Sequence, residues 1–214
     1  TTDIAERKIA ALEGAEAAAC FSSGMGAISA AIMHFVKKDC HVVAPYTIYG
    51  PTRNFLTKYL ADKFGVTTTF VHGSDIEEWK AAIRPETTLI YLESPSSLVL
   101  YMQDLEEIAK IAKEHGIIFH TDAVQAYGHI PLNVDECSID LLSASGHKLH
   151  GPKGIGFLYI RNGVKIGSFV QGGAQERSRR AGTLNTAGIV GMGVAAKLAG
   201  EQMQENMEKE IALR

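Results

Sequence analysis

Three short segments of the sequence combine small residues with side chains that can do chemistry. The first, residues 21–26, reads Phe-Ser-Ser-Gly-Met-Gly and joins an apolar run to an amphipathic stretch. Small residues at such a junction let backbone N–H groups face an anion, and the start of the following helix adds partial positive charge. The segment therefore predicts an anion-binding loop, although an ordinary turn with a serine helix cap has the same composition.

The second and third segments supply a carboxylate and a lysine. Asp122 follows the apolar run 117–120, and a carboxylate at the end of a buried strand needs a cation or several donors to offset its desolvation. Lys148 comes six residues after the run 139–142, among small residues and two histidines. An enclosed lysine has a lowered pKa and serves as an amine nucleophile. A capping aspartate and a surface lysine are the alternatives when each segment is taken alone.

Together, the three segments meet the requirements of one cofactor, pyridoxal 5′-phosphate. An anion-binding loop suits its phosphate, an aspartate keeps its pyridine nitrogen protonated, and a lysine binds it covalently. The interval between Asp122 and Lys148 leaves room for the predicted strand 139–142. The sequence therefore predicts a pyridoxal phosphate site assembled from all three segments.

Short apolar runs alternate with longer amphipathic stretches along the chain, which predicts strands alternating with helices. The predicted strands are residues 17–21, 41–44, 67–71, 88–92, 117–120, 139–142 and 156–160. The predicted helices are residues 3–12, 24–36, 51–64, 75–83, 104–115, with Asp104 as N-cap, and a long one from about 186 to the end. This order predicts a three-layer α/β fold in which a mostly parallel sheet carries helices on both faces. Ligands of such sheets bind beyond the carboxyl ends of the strands.

Composition excludes several classes of protein. Apolar residues make up 46% and charged residues 21% of the 214 residues, as in an ordinary globular chain, so one large domain over residues 1–214 is expected. The net charge of −3 gives no electrostatic case for binding nucleic acid or a membrane. Cys20, Cys40 and Cys137 have unrelated spacings, which argues against disulfides and a metal site and favours the cytoplasm. The sequence also shows no secretory signal or uninterrupted membrane-spanning stretch.

Four segments in the first half of the chain carry a family resemblance. They are Glu-Arg-Lys-Ile-Ala-Ala-Leu-Glu-Gly at 6–14, Phe-Ser-Ser-Gly-Met-Gly-Ala-Ile at 21–28, Ile-Tyr-Gly at 48–50 and Tyr-Leu-Glu-Ser-Pro-Ser-Ser at 91–97. Through them residues 1–116 resemble the Cys/Met-metabolism group of fold-type I pyridoxal-phosphate enzymes, which includes cystathionine γ-synthase and the cystathionine and methionine γ-lyases.

Four segments in the second half resemble a different branch of the same enzymes. They are Phe-His-Thr-Asp-Ala-Val-Gln at 119–125, Ser-Ala-Ser-Gly-His-Lys at 143–148, Gly-Pro-Lys-Gly-Ile-Gly-Phe at 151–157 and Gly-Gly-Ala-Gln-Glu-Arg-Ser-Arg-Arg-Ala-Gly-Thr at 172–183. Through them residues 118–214 resemble the group I cysteine desulfurases. We therefore predict a chimera of two homologous large domains, engineered or natural, with its junction between Gly116 and Ile118.

The resemblance implies roles for residues at the cofactor phosphate. By this resemblance the loop before the predicted helix 24–36 would hold this group, and a serine and a histidine just before Lys148 would add contacts. The residues at these positions are Ser23, Gly24, Met25, Ser145 and His147.

The resemblance also implies roles around the cofactor ring. Tyr49 would stack on the ring, Asp122 would pair with its nitrogen and Gln125 would hydrogen-bond its hydroxyl. Lys148 would be the lysine that binds the cofactor covalently. Thr183 resembles the desulfurase threonine that reaches the phosphate in the partner subunit, which implies a homodimer.

The chain also departs from the family pattern. Ser97 stands where the γ-family has an asparagine that positions the ring, and Gln125 is a candidate substitute. The arginine that binds the substrate carboxylate, and the loop with the desulfurase persulfide cysteine, belong to a small C-terminal domain expected beyond Arg214. We therefore expect cofactor binding to exceed turnover.

The resemblance implies C–S bond cleavage on cysteine or a related amino acid. The second half, which holds Asp122, Gln125 and Lys148, favours cysteine desulfurase chemistry. A γ-lyase-like C–S lyase is one alternative. A pyridoxal-phosphate-binding scaffold with little or no turnover is the other.

Overall fold

The computed structural model describes residues 18–97 and 99–213. The predicted helix 3–12 and the segment 6–14 that carries part of the family resemblance lie outside the described residues. The predicted strand 17–21 is described from Ala18 onward.

Seven strands form one sheet in the order β1-β7-β6-β5-β4-β2-β3. They are β1 (Ala18–Phe21), β2 (His41–Pro45), β3 (Thr67–Val71), β4 (Thr87–Glu93), β5 (Ile118–Asp122), β6 (Leu141–Ser145) and β7 (Gly156–Ile160). β7 runs antiparallel to both of its neighbours, β1 and β6, whereas the other adjacent pairs are parallel. The predicted mostly parallel sheet is thus confirmed.

The helices cover both faces of this sheet. They are α1 (Gly24–Phe35), α2 (Gly50–Asn54, continued by a π-helical stretch Phe55–Leu60 and by Ala61–Phe64), α3 (Ile76–Ala82), α4 (Leu105–Glu114), α5 (Gln175–Ser178) and α6 (Thr186–Ala212). A 3₁₀ turn, Gly146–Leu149, follows β6. The predicted cap of α4 is confirmed, because Asp104 Oδ1 accepts the Glu107 N–H at 3.1 Å. None of the helices in the described ranges is both long enough and apolar enough to span a membrane.

Side-chain alternation along β4 shows how the three layers are built. Leu89 and Tyr91 pack into the core formed with α1 and α2, whereas Ile90 and Leu92 pack into the core formed with α3, α4 and α6. Successive residues of a strand point to opposite faces, so a strand buried on both sides is apolar at nearly every position. Glu93, two residues after Tyr91, belongs to the α1 and α2 face.

Two of the predicted strands end later than expected. The apolar runs stop at His120 and Leu142, but β5 continues to Asp122 and β6 begins at Leu141 and continues to Ser145. The backbone ladder decides these ends, since Asp122 is registered with Ser143, and Ser145 with Gly156. Polar residues therefore extend both strands towards the site.

Candidate cofactor site

A cavity of about 510 Å³ lies beyond the carboxyl ends of β4, β5 and β6, next to the start of α1. Its walls hold most of the residues that the sequence predicts for the site. The lining residues are Ser23, Gly24, Met25, Ile28, Tyr49, Glu93, Ser97, Asp122, Val124, Gln125, Ser145, His147, Lys148, Lys153 and Gly154.

Nine of the ten predicted site residues thus border one cavity. The tenth, Thr183, is exposed and is not among the lining residues. Because its predicted contact is with a partner subunit, its role stays a prediction.

The loop before α1 is shaped to hold an anion. Ser23 caps the helix by accepting the Gly26 N–H on its hydroxyl at 3.0 Å, and the first N–H groups of a helix lack partners within the helix. A Cβ on Gly24 would lie 2.9 Å from the Ser145 Cβ, and a Cβ on Gly156 would lie 2.6 Å from the Gly24 nitrogen. Only glycine allows β6 and β7 to approach the loop this closely.

A hydroxyl and an imidazole stand on the other side of this loop. The Ser145 hydroxyl is hydrogen-bonded to His147 Nδ1 at 2.8 Å, and both residues line the cavity. Ser145 is the last residue of β6, and His147 lies in the 3₁₀ turn that follows. The helix start and this pair form a donor-rich pocket suited to a phosphate.

Asp122, the last residue of β5, is 2% exposed. Its Oδ1 accepts the Val124 N–H at 2.9 Å, and its Oδ2 accepts the Tyr91 hydroxyl at 3.0 Å. Burial raises the pKa of Asp122 to about 6, while these two donors lower it. A carboxylate has further lone pairs, so a cationic ring N–H donor in the cavity suits this group.

Lys148 lies in the 3₁₀ turn Gly146–Leu149 and lines the cavity. The first residue of the turn is fixed by two hydrogen bonds, since the Gly146 N–H donates to the Ile155 carbonyl at 3.0 Å and the Gly146 carbonyl accepts the Gly151 N–H at 2.9 Å. His129 Nε2 donates to the Lys148 carbonyl at 2.9 Å. These hydrogen bonds hold the backbone around Lys148, whose side chain borders the cavity.

Sequence reasoning assigned no role to Glu93 or Tyr91, although both contribute to the site. Tyr91 donates to Asp122, and Glu93 accepts the Tyr49 N–H at 2.5 Å and the Ser97 N–H at 2.7 Å. Glu93 follows a run of apolar residues directly, and a buried acid at a strand end is the signal that could have identified it.

The comparisons with known proteins agree with this geometry. The family model for Cys/Met metabolism PLP-dependent enzymes matches residues 1–151. The chain belongs to this family. Its cofactor is accordingly pyridoxal 5′-phosphate, and the anion pocket, the buried Asp122 and Lys148 fit the phosphate, the ring nitrogen and the covalent attachment of that molecule.

Among curated proteins, this family member is similar to cysteine desulfurases. It is 50% identical over 140 residues to cysteine desulfurase IscS of Dictyoglomus turgidum, which covers 65% of the chain and 36% of the relative. It is 38% identical over 223 residues to cysteine desulfurase IscS of Mannheimia succiniciproducens, with 99% of the chain and 55% of the relative covered. The chain therefore spans between about a third and about half of these relatives.

Solved structures of other proteins have a similar fold. A NifS-like protein matches with a TM-score of 0.88 and 30% identity, over 95% of this chain and 59% of that one. The structure described as SspA in complex with cysteine matches with a TM-score of 0.84 and 31% identity, over 92% and 60%. The predicted fold class is confirmed. The predicted junction between residues 116 and 118 stays a prediction.

Proposed function

We propose that this chain is the cofactor-binding part of an enzyme that cleaves C–S bonds in cysteine-type amino acids, with cysteine desulfurase chemistry. The observation that carries the proposal is one cavity that combines the α1 anion pocket, buried Asp122 and Lys148. The similarity to cysteine desulfurases over 99% of the chain supports cysteine as the substrate class.

Each residue has a distinct task in this proposal. The start of α1, with Ser145 and His147, holds the phosphate, and Tyr49 and Gln125 orient the ring. Asp122 keeps a positive charge on the ring nitrogen. When bound, pyridoxal phosphate supplies an electron sink for a carbanion at the substrate Cα.

Lys148 has two tasks in the same scheme. Its amine would hold the cofactor covalently, and the same amine is the base that would take the proton from the substrate Cα. A desulfurase also needs a thiol nucleophile that receives the sulfur.

Cysteine itself provides the test of the proposal. The purified protein is loaded with pyridoxal phosphate and incubated with cysteine and an excess of a dithiol, and alanine, pyruvate and sulfide are quantified. Desulfurase chemistry yields alanine with sulfur transferred to the thiol and released as sulfide. Equal amounts of alanine and sulfide without pyruvate are expected.

A second candidate is C–S lyase chemistry, which the family match over residues 1–151 favours. Elimination from cysteine yields sulfide, pyruvate and ammonia in equal amounts and no alanine. Pyruvate as the main product would therefore replace the desulfurase proposal with the lyase. Cofactor binding without either product would contradict both and leave a binding scaffold.

We further propose that the protein is a cytoplasmic homodimer with residues 172–183 at its interface. Support comes from the exposed Thr183 and from Phe169 and Val170, which are each 44% exposed just before this segment. Cys20, Cys40 and Cys137 form no disulfide within the part of the chain that the structure describes, and disulfides are rare in a reducing compartment. A monomer at micromolar concentration that binds the cofactor tightly, measured by analytical ultracentrifugation, would contradict the dimer.

A further inference from the structure

A second buried carboxylate lies beside Asp122 and has no task in the scheme above. Glu93 is the last residue of β4, is 2% exposed and lines the cavity. It is registered with Asp122 across the parallel β4–β5 pair. The two acids therefore stand side by side in the lining of the cofactor cavity.

The Glu93 carboxylate connects two separate loops of the cavity wall. Its Oε2 accepts the N–H of Tyr49, which lies between β2 and α2, at 2.5 Å. Its Oε1 accepts the N–H of Ser97, which follows β4, at 2.7 Å. Each oxygen thus fixes the backbone of one lining residue, and hydrogen bonds to an ionised acceptor are about twice as strong as neutral ones.

Only a carboxylate on a side chain of this length can accept a hydrogen bond from each of the two loops. Both partners are N–H donors, and a glutamine at position 93 would offer one acceptor oxygen and direct its NH₂ group at the other donor. An acid here carries a cost, because burial and the neighbouring Asp122 raise the pKa of Glu93 to about 7. The N–H groups of Tyr49 and Ser97 lower that pKa, as does Lys148 across the cavity.

We infer that Glu93 is a positioning residue of the cofactor site, whose carboxylate holds the backbones of Tyr49 and Ser97 so that these residues face the cofactor ring. The inference rests on the proposed function for the ring-stacking task of Tyr49. It assigns Glu93 to the ring side of the cofactor, whereas the start of α1 serves the phosphate side. Glu93 acts through these two residues and makes no direct contact with the reacting atoms.

The test compares cofactor affinity in Glu93→Gln and Asp140→Asn. Asp140 is a matched control, because it is a partly buried acid whose Oδ2 accepts the backbone N–H of Phe119 at 3.0 Å, and it does not line the cavity. We expect Glu93→Gln to weaken pyridoxal phosphate binding about tenfold, which corresponds to about 1.4 kcal/mol. Asp140→Asn should leave this affinity unchanged.

Two readouts separate positioning from a general effect on folding. Inorganic phosphate, measured as a competitor of the cofactor, should bind Glu93→Gln as tightly as wild type, because α1 holds it. The visible circular dichroism of the bound cofactor should change in Glu93→Gln at saturation and not in Asp140→Asn. Equal losses of phosphate and cofactor affinity, or unchanged affinity and dichroism, would overturn the inference.

A double-mutant cycle tests the route through Tyr49. Tyr49→Ala removes the ring of Tyr49 but keeps its backbone N–H. If Glu93 acts by placing that ring, the double variant should lose less affinity for pyridoxal phosphate than the product of the two separate losses. Fully independent effects would overturn the assignment.

Glu93→Asp replaces Glu93→Gln in these measurements if Glu93→Gln does not fold. Aspartate keeps the charge but is one methylene too short to reach both loops, so we expect the same loss of cofactor affinity.

The inference and the proposed function can fail separately. These measurements follow cofactor binding and do not depend on turnover. A wild-type protein that binds the cofactor without releasing alanine or pyruvate would contradict the proposed function, and the role of Glu93 could still be tested. Normal cofactor binding by Glu93→Gln, in a preparation whose wild type releases alanine, would overturn only the inference.

Discussion

The charge of Asp122 should destabilise the cofactor-free protein, so that its removal stabilises the fold. Burial raises the pKa of Asp122 from 3.8 to about 6, and a shift of about two units corresponds to about 3 kcal/mol. The folded state holds this proton more tightly than the unfolded chain. The contribution of Asp122 to the free energy of unfolding is therefore highest below about pH 4 and falls as the pH rises to about 6.

Asp122→Asn removes this charge and keeps the hydrogen bonds. Asparagine offers an oxygen to the Val124 N–H and an N–H that the Tyr91 hydroxyl can accept. At about pH 7.5 we expect the variant to be more stable than wild type by about 2–3 kcal/mol, and at about pH 4 equally stable. It should also bind pyridoxal phosphate roughly 10–100-fold more weakly, because a hydrogen bond to a charged group contributes about 1.5–3 kcal/mol.

Urea unfolding of the cofactor-free proteins, followed by far-ultraviolet circular dichroism at both pH values, measures the first effect. Cofactor titration measures the second. Asp140→Asn controls for an aspartate exchange outside the cavity and should keep wild-type cofactor affinity. The reasoning is refuted if Asp122→Asn is less stable than wild type at about pH 7.5, or if its stability falls with pH as steeply as that of wild type.

Two further predictions concern the lysine and the anion pocket, each with a control variant. Borohydride reduction should fix the cofactor to Lys148, so Lys148→Ala should lose the label and Lys153→Ala should keep it; peptide mapping that finds the label on Lys153 would contradict the assignment. Gly24→Ala should weaken pyridoxal phosphate and inorganic phosphate alike, about tenfold or more, because its Cβ would lie 2.9 Å from the Ser145 Cβ. Gly50→Ala, whose Cβ would meet no atom within 4 Å, should bind both as wild type does, and equal affinities in the two glycine variants would show that the close approach at Gly24 is unimportant.

The sequence predicted the elements wherever local periodicity decides them. All seven strands occur, and α1, α3, α4 and α6 lie within two residues of their expected starts, because apolar spacing alone defines which side of an element is buried. The π-helical stretch Phe55–Leu60 was expected as ordinary helix. No local pattern in the sequence predicts that β7 runs antiparallel to its neighbours, because the apolar pattern of a strand is the same whichever way the strand runs.

The ends of the strands near the site show a limit of the same reasoning. Hydrophobicity ends at His120 and Leu142, yet β5 and β6 run on to Asp122 and Ser145. Pairing with a neighbouring strand stabilises these polar residues, and that pairing depends on segments far away in the chain.

The sequence by itself identified three of the segments that border the cavity. Asp122, Lys148 and the loop at residues 21–26 could be found because each combines a reactive or small residue with the end of an apolar run. Only the tertiary structure decided that Glu93 stands beside Asp122 and that Gly156 lies against the loop before α1. The physical reason is that strand order and register bring distant residues together, and no spacing within a single segment encodes them.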